Sequence, residues 1–190
     1  AGEHSCVVAE ISSYQMEAAT NFRPHVAVVL NVTPDHVVRH GSLEVYQQMK
    51  EKMFAQQTSE DYLVLNYDND KTRDMAKRAK GQVFFFSRLE KLEEGAFLQD
   101  GWLTIQWQGQ TCRLCRADEL KIKGGHNIEN ALAAASAAFL GGARIPKIIE
   151  VLKEFAGVEH RIEPVAVIGG VAYYNDSKAT NTDSAIKALE

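Results

Sequence analysis

The chain has 190 residues, of which 45% are hydrophobic and 24% are charged, and its formal net charge is −4. An acidic balance without a basic run argues against a nucleic-acid-binding surface. The sequence contains no run of roughly 18 apolar residues that could span a membrane. Three cysteines, an odd number, and the absence of a secretory leader pattern favour reduced thiols. We therefore expect a cytoplasmic protein that binds neither nucleic acid nor membrane.

Apolar runs alternate with helical patterns through the first half of the chain. The predicted strands are 6–10, 25–31, 62–66 and 82–87, and the predicted helices are 13–20, 42–57 and 71–79. Continuous apolar runs of this kind are typical of parallel strands that are covered on both faces. The alternation of strands with helices predicts an α/β fold.

The pattern changes beyond residue 95. Three short runs at 96–99, 102–107 and 111–115 are separated by glycine-containing turns, which predicts antiparallel hairpins. Helical periodicity returns at 127–140 and 146–155. A linker at 157–161 then leads to two more strands, 163–168 and 171–174, and the chain closes with a helical pattern that begins at Thr182 or Asp183.

A polar turn at 175–181, Asn-Asp-Ser-Lys-Ala-Thr-Asn, lies between the last strand and this final helix. A strand, a polar turn and a helix N-terminus together present hydroxyls, backbone N–H groups and a lysine to an anionic ligand in many α/β proteins. The same residue types are also favoured as helix caps in solvated turns. The turn alone leaves both interpretations open.

Acidic and imidazole side chains follow the first two predicted strands. Glu10 ends the first strand, and Asp35 and His36 follow the second, after a turn set by Pro34. Ligands of open α/β sheets bind at the carboxyl ends of the strands, and Mg²⁺ prefers oxygen ligands. We interpret these residues as a candidate magnesium site. A surface carboxylate and a structural histidine are the alternatives.

Lys50 stands out in the helix predicted at 42–57. One face of this helix carries an apolar stripe made by Leu43, Tyr46, Met53 and Phe54, and Lys50 falls in its middle. Such a lysine either extends its ammonium to solvent or loses its charge. A neutral amine can react with CO₂ to give a carbamate, an anion that could hold a second Mg²⁺. Both possibilities remain open.

Two further groups of polar residues are candidates for nucleotide binding. Asn127 and Asn130 lie three residues apart, so both amides point from one face of the first turn of a helix, and paired amides can bind an adenine edge. Asn127 could instead be the N-cap. Arg161 follows His160 in the linker, where an arginine can clamp phosphate as a hinge closes or can form an interdomain salt bridge.

Six segments, in this order along the chain, carry a resemblance to a known family: 10–17 (Glu-Ile-Ser-Ser-Tyr-Gln-Met-Glu), 31–36 (Asn-Val-Thr-Pro-Asp-His), 46–50, 125–130, 160–163 and 175–181. Together they resemble the Mur ligases of bacterial cell-wall synthesis. Ser13-Tyr14-Gln15 favours the branch that adds D-glutamate to UDP-N-acetylmuramoyl-L-alanine, because the branch that adds the next residue usually has Ser-Ser-His there.

The resemblance implies an ATP-dependent amide ligation through an acyl phosphate, with ATP and Mg²⁺ required. Lys50, His36 and Lys178 are the implied catalytic residues. The implied metal ligands are Glu10, His36 and Lys50 as its carbamate. The implied nucleotide contacts are Asn127, Asn130, Arg161, Asp176 and Lys178, and the implied substrate contacts are Ser12, Gln15, Thr180 and Asn181.

The resemblance also implies a domain organisation. Residues 1–158 would be a partial central ATPase domain with a mostly parallel sheet flanked by helices and a small antiparallel subsheet, and residues 159–190 would begin a Rossmann-like C-terminal domain. The sequence contains no glycine-rich phosphate loop of the form G-x-x-x-x-G-K-[ST]. We therefore expect a fragment of a monomeric ligase that is inactive alone and binds ATP weakly.

The alternatives are a sister ligase that adds diaminopimelate or lysine, a folylpolyglutamate-synthase-like ligase, and a non-catalytic remnant of a nucleotide-binding fold. The acceptor amino acid separates the first two from the D-glutamate branch. Scattered rather than clustered positions of Glu10, His36 and Lys50 would favour the third.

Overall fold

The computed structural model describes residues 5–33, 40–180 and 182–189. The chain divides after Phe86 into two compact units. The first contains parallel strands and helices, and the second contains antiparallel strands and helices, so the predicted α/β class is confirmed. Within the described ranges, no helix is long and apolar enough to cross a membrane.

The first unit alternates helices and strands. Its elements are α1 (Ser13–Ala18), β1 (Val26–Val29), α2 (Leu43–Glu51), β2 (Tyr62–Asn66), α3 (Asp70–Met75) and β3 (Gln82–Ser87). β1 pairs with β2 in parallel, and β2 pairs with β3 in parallel. The helices begin where the chain offers a capping side chain: Ser12, Ser42 and Asn69 each accept a backbone N–H bond.

The core of the first unit lies around β2. Leu63, Val64 and Leu65 are fully buried, as expected of a central parallel strand covered on both faces. Phe54 also enters this core, although α2 ends at Glu51 rather than at the predicted residue 57. After the helix the backbone continues in tighter turns, with i to i−3 bonds such as Phe54 N–H to Glu51 O (3.1 Å).

The strand predicted at 6–10 is wrong. These residues are irregular, and Val7 and Val8 are 75% and 93% exposed. A strand forms only where a neighbouring strand pairs with its backbone N–H and C=O groups. No strand of the described residues pairs with this segment. Glu10 therefore ends an exposed irregular segment and not a buried strand.

The second unit begins with a meander and continues with two helices and a hairpin. Its elements are β4 (Gly95–Gln99), β5 (Trp102–Trp107), β6 (Gln110–Arg116), α4 (Gly125–Leu140), α5 (Ile145–Glu154), β7 (Glu163–Ile168), β8 (Val171–Asn175) and α6 (Thr182–Leu189). The three predicted hairpin strands pair antiparallel as expected. The turn at Asp100 and Gly101 has φ of +51° and +77°, the left-handed pair that a tight hairpin requires.

β7 and β8 form a two-stranded antiparallel sheet of their own. Its apolar side chains are open to solvent, with Val167 73% and Tyr174 61% exposed. β8 leads directly into the polar turn, and α6 follows it, so the predicted strand, turn and helix are all present.

Candidate active site

Lys50 reaches the carboxyl end of β1. Its Nζ donates to the backbone oxygen of Asn31 over 3.0 Å, and it also lies 5.0 Å from the ring centroid of Tyr46. Asn31 follows β1 closely, at the sheet edge where α/β proteins bind ligands. Lys50 is half-buried, so it neither extends fully into solvent nor lies in a dry core. Its nitrogen is held at the carboxyl end of β1.

The donor chemistry around Lys50 fits a carbamate. A carbamate nitrogen keeps one N–H, which can still donate to Asn31, while its two oxygens become anionic ligands of the kind that Mg²⁺ prefers. Glu10 supplies an exposed carboxylate. His36, with Asp35, lies outside the described residues. Across the ranges that the structure describes, three or more His, Cys, Asp or Glu side chains do not meet in a ready-made metal site.

Ser12 and Gln15 form a capping box at the start of α1. The Ser12 hydroxyl accepts from the Gln15 backbone N–H (3.3 Å), and the Ser12 backbone N–H donates to Gln15 Oε1 (2.8 Å). This reciprocal pair explains the presence of serine and glutamine at these positions by helix capping alone. The Ser-x-x-Gln spacing could have predicted the pair from the sequence. Both side chains are exposed and accessible to a substrate.

His40 is a candidate site residue that sequence reasoning missed. Its side chain is only 3% exposed, its Nε2 lies 3.0 Å from Ser13 Oγ, and its ring stacks on Tyr14 and Tyr46. His40 falls outside every predicted helix and strand, so no periodic pattern marked it as buried. Its neighbourhood combines Ser13 and Tyr14 of α1, which are distant in sequence, with Tyr46 of α2, which is close in sequence.

In the second unit, Asn127 and Asn130 interact with each other. Asn130 Nδ2 donates to Asn127 Oδ1 (3.3 Å), and Asn127 Nδ2 donates to the backbone oxygen of Lys123 (2.7 Å). The helix has Gly124, with φ of +95°, as its N-cap, so the alternative in which Asn127 caps the helix is wrong. Both amides lie on one face of the helix, as predicted, but Asn130 is beyond its first turn.

The polar turn after β8 is bonded to the linker before β7. Asp176 Oδ1 accepts from the Ile162 backbone N–H (3.1 Å), and the Lys178 backbone N–H donates to the His160 oxygen (3.1 Å). Asn175 Nδ2 also lies 2.8 Å from His160 Nδ1. These bonds hold the backbone that carries Arg161 beside the backbone that carries Lys178. Both side chains are exposed.

The segment between α5 and β7 is strained where these bonds hold it. His160 and Ile162 have φ of +65° and +47°. Left-handed backbone is uncommon for any residue with a side chain, and for a branched residue such as isoleucine it is a genuine outlier. Backbone in this state persists only where its surroundings fix it, and it is concentrated at active sites, ligand clamps and switch regions. The bond from Ile162 to Asp176 is one such constraint.

The predicted site residues thus fall in both compact units. The first unit contains Glu10, Ser12, Gln15 and Lys50, and the second contains Asn127, Asn130, Arg161, Asp176, Lys178 and Thr180. Thr180 is exposed. His36 and Asn181 lie outside the described residues.

Comparison with known proteins gives a consistent family. The family model described as the Mur ligase middle domain matches residues 1–138. The UDP-N-acetylmuramoylalanine–D-glutamate ligase of Caldanaerobacter subterraneus is 46% identical over 190 residues, which are 100% of this chain and 41% of that protein. The ligase of the same name from Acidobacterium capsulatum is 48% identical over 185 residues, 96% of this chain and 40% of that protein.

Solved structures share the fold at lower identity. MurF from Acinetobacter baumannii has a TM-score of 0.72 at 20% identity, covering 92% of this chain and 38% of its own. UDP-N-acetylmuramate-alanine ligase MurC from Thermotoga maritima has a TM-score of 0.64 at 20% identity, covering 94% of this chain and 39% of its own. This chain spans about two-fifths of the length of the curated relatives that it matches.

Proposed function

Because this chain belongs to the Mur ligase family, through the middle-domain model that matches residues 1–138, we propose that it is part of MurD, the ligase that adds D-glutamate to UDP-N-acetylmuramoyl-L-alanine. The observation that carries the proposal is 46% identity over all 190 residues to ligases named for D-glutamate. The chain covers 41% of such a protein, so the activity belongs to the longer parent.

The proposed reaction has two steps. A carboxylate oxygen of the substrate's alanine attacks the γ-phosphorus of ATP, which gives an acyl phosphate and releases ADP. The amine of D-glutamate then attacks the acyl carbon, the tetrahedral intermediate expels phosphate, and the amine loses a proton to leave an amide. Phosphoryl transfer depends mainly on positioning and charge neutralisation. The enzyme therefore needs cations placed near the phosphates.

Arg161 and Lys178 are the proposed cations of the second unit. The bond from the Lys178 N–H to the His160 oxygen keeps the two residues on adjacent backbone. We assign them to nucleotide phosphate, with Asp176 as a further nucleotide contact and Thr180 and Asn181 nearer the acceptor amino acid. The Arg161 and Lys178 side chains are exposed, and Arg161 lies between two left-handed residues. Both side chains are therefore accessible for a contact that forms when the nucleotide binds.

Asn127 and Asn130 are the proposed adenine contacts. Each primary amide offers both a donor and an acceptor, which matches the donor and acceptor atoms of an adenine edge. Their mutual bond uses one donor and one acceptor of the pair. The remaining hydrogen-bonding capacity includes Asn130 Oδ1 and one further N–H on each amide nitrogen.

The proposed roles of the first unit concern the metal and the sugar substrate. Glu10, His36 and carbamylated Lys50 would hold Mg²⁺, which when bound neutralises charge on the phosphoryl oxygens. Lys50 is already at the carboxyl end of β1, and its N–H keeps a carbonyl partner there. Ser12 and Gln15, both exposed, would face the UDP-sugar.

We also propose that residues 1–158 belong to the central ATP-binding domain and residues 159–190 begin the C-terminal domain. The left-handed residues at 160 and 162 support a hinge at this boundary. The parent is proposed to be a cytoplasmic monomer.

The test is an acceptor assay on the full-length enzyme. Phosphate release from ATP would be measured with UDP-N-acetylmuramoyl-L-alanine and D-glutamate. A separate assay would use the product of D-glutamate addition as substrate, with meso-diaminopimelate or lysine as the acceptor. We expect release that depends on D-glutamate. Release that depends only on diaminopimelate or lysine would assign the chain to a sister ligase, and no release with any acceptor would support a non-catalytic protein. The isolated 190-residue chain is expected not to ligate.

A further inference from the structure

His40 is held in a fixed orientation by α1. The imidazole is almost fully buried, and a buried polar ring is costly unless its nitrogens have partners. Ser13 Oγ lies 3.0 Å from Nε2, and Glu17 Oε1 lies 3.7 Å from Nδ1. Both partners are on α1, the helix that follows Glu10 and Ser12. The ring therefore has a polar contact at each nitrogen.

Tyr46 connects His40 to α2. Its ring centroid lies 5.4 Å from that of His40, with the two ring planes 27° apart, and Tyr46 is only 7% exposed. Stacked aromatic rings at this separation attract each other beyond the burial of their area. The position of the Tyr46 ring is thus fixed by His40 as well as by its own helix.

Lys50 lies one turn beyond Tyr46 on the same face of α2. Its Nζ is 5.0 Å from the Tyr46 ring centroid and donates to Asn31. A lysine side chain has about 2 kcal/mol of rotamer entropy, so its terminal atom stays in one place only when neighbours restrict it. The Tyr46 ring is a side-chain neighbour that restricts Lys50 in this way.

We propose that His40 is a positioning residue for Lys50, acting through Tyr46 to keep the lysine nitrogen at the carboxyl end of β1 where its carbamate is needed. This inference rests on the proposed function, since it assigns His40 to the active site through Lys50. A continuous path of contacts runs from Ser13 through His40 and Tyr46 to Lys50. It connects the helix after Glu10 to the residue that is proposed to share a metal site with Glu10.

The experiment uses the full-length enzyme and the variant His40→Ala. Enzyme equilibrated with ¹³C-bicarbonate would be examined by ¹³C NMR for a lysine carbamate signal, which Lys50→Ala must abolish. Steady-state kinetics would be measured on the same samples. His25→Ala is the matched control, because His25 also contacts a carboxylate (Asp61, 3.3 Å) and an aromatic ring (Tyr62, 5.5 Å) but precedes β1 at the opposite end of the strand.

We expect His40→Ala to lower carbamate occupancy at fixed bicarbonate and to lower kcat by about tenfold, since small displacements of a reacting group are costly. The KM values for ATP and D-glutamate should change by less than about threefold, because His40 is not assigned to either binding site. Raising the bicarbonate concentration should restore part of kcat, which a general loss of stability would not allow. His25→Ala should leave the carbamate signal and kcat unchanged.

A folded His40→Ala enzyme with the wild-type carbamate signal and kcat would overturn the inference. If His40→Ala does not fold, His40→Phe is the variant to use, because it keeps a stacked ring but loses both polar contacts with α1. The inference then expects occupancy below wild type, and wild-type occupancy would contradict it. Wild-type enzyme that lacks D-glutamate ligation or lacks the Lys50 carbamate contradicts the proposed function instead, so the two failures are distinguishable.

Discussion

The Lys50 nitrogen donates to the backbone oxygen of Asn31 across 3.0 Å, so a helix side chain and the end of a parallel strand meet at one point. A carbonyl oxygen accepts from an ammonium, and it can also accept from the single N–H of a carbamate. The contact therefore positions the nitrogen in both chemical forms and leaves the carbamate oxygens to act as ligands.

The first prediction concerns this nitrogen. Lys50→Ala in the full-length enzyme is expected to lower kcat at least about a hundredfold. The substitution removes the carbamate that is proposed to hold Mg²⁺, and with it the neutralisation of charge on the phosphoryl oxygens. Formate or acetate should restore part of the activity by occupying the vacated space as a carboxylate. Lys50→Arg is the matched variant: its guanidinium fills the space, cannot form the carbamate, and should not respond to carboxylates. Unchanged activity in Lys50→Ala would refute the proposed role.

Lys50 and His40 differ in how well they could be predicted from the sequence. Lys50 interrupts an apolar stripe with helical spacing, so its position on α2 could be predicted from a local pattern. His40 is buried by Tyr14 from one helix and Tyr46 from another, and it follows no periodic segment. Its contacts with Ser13 and Tyr14 are non-local in sequence, and a single sequence does not specify contacts of that kind.

The second prediction separates two roles of Asp176. Its Oδ1 accepts the backbone N–H of Ile162, a bond that the amide oxygen of Asp176→Asn can keep and that Asp176→Ala cannot. Asp176→Ala should lower the stability of the β7–β8 region by about 1 kcal/mol, while Asp176→Asn should not. Both should lose ligase activity if the carboxylate also contacts the nucleotide. Thermal unfolding and phosphate release would be measured on all three proteins, and full activity in Asp176→Asn would leave Asp176 with the structural role alone.

The third prediction concerns the pH dependence of stability. Asp61 is buried, with a side chain 5% exposed, and accepts from Arg23 Nε (2.7 Å) and from the Thr58 backbone N–H (2.8 Å). The bond from Arg23, supported by Thr58 and His25, holds the pKa of Asp61 well below its usual range. A carboxyl with a depressed folded pKa stabilises the fold fully above its unfolded pKa of about 4 and loses that contribution as pH falls towards the folded value.

Asp61→Asn should therefore cost roughly 1–3 kcal/mol at pH 7, and the cost should shrink as the pH is lowered below about 4. The control is Asp118→Asn, because Asp118 also has a lowered pKa, caused mainly by its hydrogen bond with Arg116, but its side chain is 67% exposed. An exposed pair of this kind contributes little. Urea unfolding from about pH 3 to about pH 7 would measure both. Equal pH profiles for wild type and Asp61→Asn would contradict the assignment.

The strand predicted at 6–10 is wrong for a different reason from the one that left His40 unpredicted. Its apolar run is a sound local signal, but a strand also needs a partner, and the described chain pairs β1 with β2 instead. The strands at Tyr62–Asn66 and Gln82–Ser87 were predicted to the residue, because each is a continuous apolar run with a partner on the parallel sheet. An apolar run thus became a strand only where the fold placed another strand beside it.

The fourth prediction concerns Gly81, which precedes β3. A Cβ at this position would lie 2.8 Å from the backbone oxygen of Asp61 and 3.2 Å from Gln57 Oε1. The Asp61 oxygen cannot move away freely, because it accepts the backbone N–H of Gln82 (2.8 Å) where β2 and β3 begin. Gly81→Ala should therefore destabilise the chain by about 1–3 kcal/mol, as overpacking against fixed backbone does.

The control for this prediction is Gly109→Ala. Gly109 has φ of +74°, but a Cβ added there would meet nothing within 4 Å, so the cost of the substitution comes from the left-handed backbone and not from a contact. Asparagine tolerates that backbone, so Gly109→Asn should recover most of the loss at 109, whereas Gly81→Asn should be at least as damaging as Gly81→Ala. Urea unfolding of the four variants would distinguish the two causes. Recovery by asparagine at position 81 would show that backbone conformation, rather than close approach to Asp61, is the reason for glycine there.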